Sequence, residues 1–136
     1  MLPTHCLCTQ LRRAARSVTR QYDDALVDVG INAAQLSLLR HVDRLGTPCI
    51  SDLAFAMGLD RSTLGRNLKV LEQSGLIQLS PGRDLRNRTV SLSDEGKARL
   101  GGAEQAWERV QRSLADRLGA EQQRALMSLL EQLQQP

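Results

Sequence analysis

Two groups of side chains in this sequence are spaced for chemistry. Between positions 60 and 88 stand Asp60, Arg61, Ser62, Thr63, Arg66, Asn67 and Lys69, then Arg83, Asp84, Arg86 and Arg88. Cations mixed with hydroxyl and amide groups over so short a span suit phosphates and base edges better than bond-making catalysis. Near the N-terminus Cys6 and Cys8 flank Leu7, Arg12 and Tyr22 follow, and Cys49 stands apart. Thiols so placed can attack a peroxide, pair with one another or bind a soft metal.

The elements that would position the first group follow from the apolar spacing. Leu53, Met57, Leu59, Leu64 and Leu68 recur as the inner face of two short helices, with Ala54 and Gly58 at their corner. Such a corner needs a small contact residue and then one that tolerates positive φ. Asp60 is the expected N-cap of the second helix, which keeps Leu64, Leu68 and Leu71 inward and stops at Gly75. Its opposite face then carries Arg61, Ser62, Thr63, Arg66, Asn67 and Lys69. Leu76–Leu79 and Thr89–Leu92 are expected strands around a basic loop that contains Pro81-Gly82. Asp84 and Arg86, two apart, share a face of extended chain.

On either side lie longer helical patterns. Leu7, Leu11, Ala14, Ala15, Val18, Tyr22, Leu26 and Val29 predict a helix over 4–29 that Gly30 ends. Leu36, Leu39, Val42 and Leu45 predict another over 33–45, broken by Gly46-Thr47-Pro48, after which Ser51 is the expected cap of the third helix. Ser93 is expected to cap a fifth helix carrying Leu100, Ala103, Trp107, Val110, Leu114 and Leu118. Leu126, Leu129, Leu130 and Leu133 define a last one. The expected architecture is one domain over 1–136, mainly α with a small β-wing: a winged helix-turn-helix over about 33–92. Helices over about 4–29 and 94–134 exceed what is needed to cover it. They predict a homodimer joined through both chain ends.

Composition narrows the class. In 136 residues there are one Phe, one Trp and one Tyr, so the core must rest on aliphatic side chains, which favours helix packing. The net charge is +3, and residues 60–88 hold six Arg or Lys against three acids, so the whole excess lies in that window. A focused basic surface of this kind points to double-stranded DNA. No apolar run reaches the ~18 residues of a membrane helix, and the first residues lack the basic and apolar pattern of a secretory signal, so none is expected. Three cysteines, an odd number, predict reduced thiols and a cytoplasmic location. No nucleophile–base pair, phosphate-binding glycine loop or cofactor motif occurs, so an enzyme is not expected.

Three segments carry a resemblance. Leu59-Asp60-Arg61-Ser62-Thr63-Leu64, Glu72-Gln73-Ser74-Gly75-Leu76-Ile77 and Asp84-x-Arg86-x-x-x-Val90-x-Leu92-Ser93 together resemble the MarR family of bacterial regulators. The likeness spans nearly the whole chain and implies a homodimeric winged-helix repressor that leaves DNA when an effector is sensed. Gly65 stands where that family commonly has a hydroxyl residue, and Ser93 where it usually has Thr. On this reading Arg66 reads guanine, Ser62 and Thr63 meet phosphate or thymine methyl, Arg86 enters a minor groove steadied by Asp84, and Arg83 and Arg88 meet phosphates.

The N-terminal helix is similar to the OhrR peroxide-sensing branch, which implies a reactive Cys8 meeting a tyrosine of the other subunit. Cys8 and Tyr22 are ~21 Å apart along one straight helix, so they can meet only between crossed helices of a dimer. Arg12 occupies the place of a second tyrosine and can stabilise a thiolate, with Cys6 or Cys49 as resolving thiol. Three alternatives remain open: an inert buried thiol, a copper(I) or metalloid site on Cys6, Cys8 and Cys49, and a phenolic or apolar effector held between the dimer helices and the winged part.

Overall fold

A computed structural model describes residues 1–84 and 87–136. Helix α1 runs Leu7–Leu26 and passes through a 3-10 turn, Val27–Val29, to Gly30 at φ 81°, the left-handed stop its position predicts. Helix α2 (Ala33–Leu45) opens on a reciprocal cap: Asn32 Oδ1 accepts from Gln35 N while Gln35 Oε1 accepts from Asn32 N. Helices α3 (Ile50–Met57) and α4 (Arg61–Gln73) meet at Gly58, φ 64°, over buried Ala54, as the corner requires. Strands β1 (Ile77–Ser80) and β2 (Thr89–Leu92) pair antiparallel in the register Ile77 to Leu92 and Ser80 to Thr89. Helix α5 (Asp94–Leu118) and helix α6 (Ala120–Gln134) complete the chain, parted by Gly119.

The core is aliphatic. Leu26, Leu39, Leu53, Leu64, Leu71 and Val90 are wholly enclosed, and no aromatic side chain is among the buried residues. Helix α2 is central, touching α1, α3, α5 and β2. It therefore buries Leu38 as well as the expected Leu36, Leu39 and Val42.

Several boundaries differ from expectation, each for a local reason. Helix α1 begins at Leu7 rather than residue 4, because Cys6 N is taken by the Thr4 hydroxyl at 3.1 Å. Leu45 is exposed, lying at the point where Gly46 turns the chain outward. Leu76 is still in the turn after α4, its N–H bonded to Leu71 O, so β1 starts one residue later. Ser51 is not the cap of α3. The helix starts at Ile50 with Cys49 extended before it, because Cys49 bridges to Thr89 at the edge of the wing.

The two ends of the chain leave apolar surface bare. Leu7 is 59% exposed, Met127 63%, Leu129 55% and Leu133 53%, far from the near-zero values of the core. Among the described residues no helix is long and apolar enough to cross a membrane.

Candidate nucleic-acid interface

Helix α4 has one committed side. Leu64, Leu68 and Leu71 are buried against the core, which turns Arg61, Ser62, Arg66, Asn67 and Lys69 outward and leaves Thr63 half-buried. Its start is held by Asp60. That carboxylate accepts Thr63 N at 2.7 Å, the Ser62 hydroxyl at 2.8 Å and the Thr63 hydroxyl at 2.9 Å. These donors, the Thr63 amide foremost, pull the Asp60 pKa down to about 2. The arrangement has a consequence for recognition. Both hydroxyl protons are engaged by Asp60, so Ser62 and Thr63 present lone pairs, and Thr63 its methyl, rather than donors. Thr63 Oγ1 in turn accepts from Arg66 Nη2 at 3.4 Å. Gly65 has no neighbouring atom within 4 Å of where a Cβ would stand, so the reading face has a shallow gap there.

The wing carries the second basic group. Arg83 and Arg88 are exposed, and Arg88 Nη2 lies 3.3 Å from Leu79 O on the opposite strand. Asp84 O accepts Asn87 N at 2.9 Å near the tip. Arg86, the expected minor-groove residue, lies outside the described residues.

The wing is wider than a hairpin. Ile50 N donates to Arg88 O at 2.9 Å and Val90 N to Pro48 O at 2.8 Å, so the approach to α3 runs along β2. The Asn87 side chain accepts Ser51 N at 3.0 Å. Sequence spacing gives no sign of that link, since the partners are far apart in the chain and Asn in a loop has many uses.

The candidate sensing residues are dispersed within the protomer. Cys6, Cys8 and Arg12 are exposed near the start of α1. The Thr9 hydroxyl, and then its amide, hold the Cys6 thiol below the ordinary thiol range. Tyr22 is part-buried, and its hydroxyl donates to Gln111 Oε1 of α5 in the same protomer. Burial pushes its pKa up, opposed by the Arg40 charge. Cys49 is half-buried and tied to β2. Among the described residues no group of three His, Cys, Asp or Glu is placed to hold a metal ion. The three-cysteine metal site is thus not assembled within one protomer, because Cys49 is held at the wing and the other two at the start of α1.

Between α1, α2 and α5 lies a cavity of about 410 Å³ lined by Tyr22, Leu36, Ser37, Arg40, His41 and Trp107, among others. Arg40 stacks its guanidinium 3.8 Å above the Trp107 ring and bonds Glu104 at 3.1 Å. Sequence reading missed Arg40, although the sole Trp in the chain was a clue to its neighbourhood.

Comparison with known proteins agrees with this layout. A family description, the MarR family, matches residues 31–87. The uncharacterized HTH-type transcriptional regulator YwhA of Bacillus subtilis is 31% identical over 121 residues, covering 86% of this chain and 85% of YwhA. The M. tuberculosis transcriptional regulator MosR, in its complex with DNA, superposes with a TM-score of 0.83 and 32% identity, covering 96% of this chain and all of that one. The transcriptional repressor CouR bound to a 23-mer DNA duplex superposes with a TM-score of 0.87 at 26% identity, over 99% of each chain.

Proposed function

Since the chain belongs to the MarR family, we propose that it is a homodimeric transcriptional repressor that grips a pseudo-palindromic operator with α4 and the wing. The observation that carries this reading is the division of α4: one side is sealed in the core, and the other offers Arg61, Arg66, Asn67 and Lys69 to solvent. Similar chains with DNA bound, MosR and CouR, add support. The first turns of α4 enter the major groove, where Arg66 pairs with a guanine and the Thr63 methyl meets thymine. Ser62, whose hydroxyl proton is held by Asp60, accepts from a base donor, and Asn67 and Lys69 take flanking base and phosphate positions. Arg83 and Arg88 neutralise phosphates, and the minor-groove role falls to Arg86 on the strength of the sequence pattern. The bare apolar faces of α1 and α6 close against a second copy. The dimer then spans half-sites ~34 Å apart.

The proposed input is thiol oxidation at Cys8, and the exposure of Cys6 and Cys8 two residues apart favours it. A Cys8 thiolate attacks the distal oxygen of a hydroperoxide, giving a sulfenic acid and releasing the alcohol after protonation. The Cys6 thiolate then displaces hydroxide, which leaves as water, to form a disulfide. Added dithiol reverses both electrons of the change. Arg12 lies one turn beyond Cys8 on α1, so the two share a side of the helix. Tyr22 is engaged with Gln111 inside its own protomer, so it serves the α1–α5 contact.

A second reading rests on the cavity at Trp107. Its apolar lining beside Arg40 fits a phenolic or other aromatic effector, which would replace oxidation as the input.

The deciding experiment follows binding of the reduced protein to DNA upstream of its own gene by fluorescence anisotropy. Organic hydroperoxide should abolish binding, dithiothreitol should restore it, and Cys8→Ser should bind without responding. Tight binding indifferent to peroxide and released by a phenolic compound would replace the redox input with the ligand. No binding to that DNA or to its half-sites would overturn the repressor.

A further inference from the structure

We infer that Asn87 is a positioning residue that locks the wing to the helix-turn-helix. The inference rests on the reading that α4 and the wing meet DNA together.

The first turn of any helix has amide N–H groups with no helical acceptor. In α3 the N-cap residue, Cys49, offers no side-chain bond. The acceptor comes from 36 residues away, where Asn87 Oδ1 takes Ser51 N at 3.0 Å in a half-buried position. Beside it lie the two backbone bonds, Ile50 N to Arg88 O and Val90 N to Pro48 O. Among the described residues three hydrogen bonds join these segments; Asn87 makes the one by side chain, and of the three it lies nearest the tip.

Asn87 is also built into the tip itself. Its N–H donates to Asp84 O at 2.9 Å. A Cβ on Gly82 would fall 2.2 Å from Asn87 O, so the outgoing and returning arms of the loop close directly on this residue. One amide side chain thereby joins the loop that bears Arg83 and Arg88 to α3, which packs on α4. With the lock closed, wing and recognition helix are preset at one angle. With it open, DNA must order the wing as it binds, which costs affinity.

The test uses the full-length dimer. In the free protein, hydrogen exchange is measured at the amides of Ile50, Ser51 and Val90. Asn87→Ala should speed all three together, roughly tenfold, the factor expected for a lost cap acceptor. Asn87→Asp keeps an acceptor and should restore protection. Faster exchange at Ser51 alone would overturn the lock, because the bond would then serve only the helix end.

The second readout is DNA affinity across a salt series. Asn87→Ala and Arg83→Ala should each weaken binding and flatten its salt dependence, and the double variant should be little worse than the more severe single one. Full additivity of the two losses would show that Asn87 does not act through the wing and would overturn the proposal. A wild-type protein that binds no duplex would instead defeat the DNA reading, while the exchange result still decides whether the lock exists.

Discussion

Replacing Gly96 by Ala, a change that usually strengthens a helix, should weaken this protein. Gly96 lies in the first turn of α5 and is buried. A Cβ there would stand 2.0 Å from Leu76 O and 3.1 Å from its carbon. Ordinary carbon–oxygen contacts begin at ~3.3 Å, so helix and carbonyl must part by more than an ångström. That carbonyl is not free to retreat. It accepts Ser93 N at 3.1 Å, while the Ser93 hydroxyl donates to Gly75 O at 2.6 Å and accepts Gly96 N at 3.0 Å. Overpacking of this kind costs ~1–3 kcal/mol, and losing one capping hydrogen bond ~1 kcal/mol more. The gain from Gly to Ala in a helix is at most ~1 kcal/mol. The clash wins, and the net loss is ~1–3 kcal/mol by the same bookkeeping.

Gly101, in the same helix, supplies the control. No atom lies within 4 Å of its would-be Cβ, so Gly101→Ala should stabilise by ~1 kcal/mol. Thermal unfolding followed by circular dichroism reads both, at one protein concentration because a dimer's midpoint depends on it. At ~4 °C per kcal/mol for a chain of this size, Gly96→Ala should melt ~4–12 °C lower and Gly101→Ala ~4 °C higher. A Gly96→Ala protein that melts at or above wild type would refute the reasoning, since α5 would then have a route away from Leu76 that the capping network denies it.

Asp60 should titrate by NMR with a midpoint near the value of about 2 set by its three donors rather than the ordinary 3.8. A depressed acid stabilises the folded form above its ordinary pKa, so protection of the Thr63 amide should be full above that value and fade as pH falls toward about 2; a midpoint at 3.8 would remove the cap network from the account. In a Cys8→Ser, Cys49→Ser background, iodoacetamide should modify Cys6 with a pH midpoint below the ordinary thiol value of 9.0, and Thr9→Val should raise it; no shift with Thr9→Val would deny that residue its role. Arg40→Ala should move the emission of Trp107, the only Trp, and cost ~1–2 kcal/mol through the lost stacking and covered ring surface. An unchanged spectrum and midpoint would dismiss the contact. Leu7→Ala should weaken the dimer at least ~30-fold in sedimentation, from ~2 kcal/mol or more of apolar burial over the two copies; an unchanged dissociation constant would place Leu7 outside the interface.

What the sequence disclosed tracks how local the cause is. The cap at Asp60, the corner at Gly58 and the inner leucines of α4 depend on neighbours within a few residues, and periodicity alone exposes them. Leu38 escaped because α2 is covered on several sides, so burial no longer follows a single stripe. Ser51 was misassigned as a cap because the usual signal, a hydroxyl before an apolar run, ignores an acceptor arriving from the wing. The approach of Gly96 to Leu76 and the stacking of Arg40 on Trp107 join distant segments, and no spacing rule encodes them. The DNA-facing residues are legible as types on a face, whereas the orientation of the Ser62 and Thr63 hydroxyls toward Asp60 required coordinates.

The energy of the proposed switch constrains where it acts. A hundredfold loss of DNA affinity needs ~2.7 kcal/mol of difference between DNA-bound and released forms. Near the thiols the available hydrogen bonds are a strap: Arg13 Nη1 to Leu2 O at 2.7 Å, Gln10 Nε2 to Thr4 O at 3.1 Å and Cys6 N to the Thr4 hydroxyl. All three are exposed, and bonds of this kind contribute at most ~1 kcal/mol each. More decisively, a bond present in both forms biases neither, however many are broken. The difference must come from surface whose burial changes as the dimer rearranges, and Leu7, between the two thiols and 59% exposed in the protomer, is the apolar group nearest the chemistry. On the proposed redox reading, a disulfide drawn across it would distort the first turn, where Gln10 N bonds Cys6 O, and with that turn the contact proposed for Leu7 in the dimer. From there the path is short. Helix α1 lies along α5, and α5 begins after its cap Ser93, which directly follows β2 and is bonded to the chain at Gly75 and Leu76. On that reading a tilt of α5 at the dimer end would arrive at the root of the wing, the same point at which Gly96 leaves no slack.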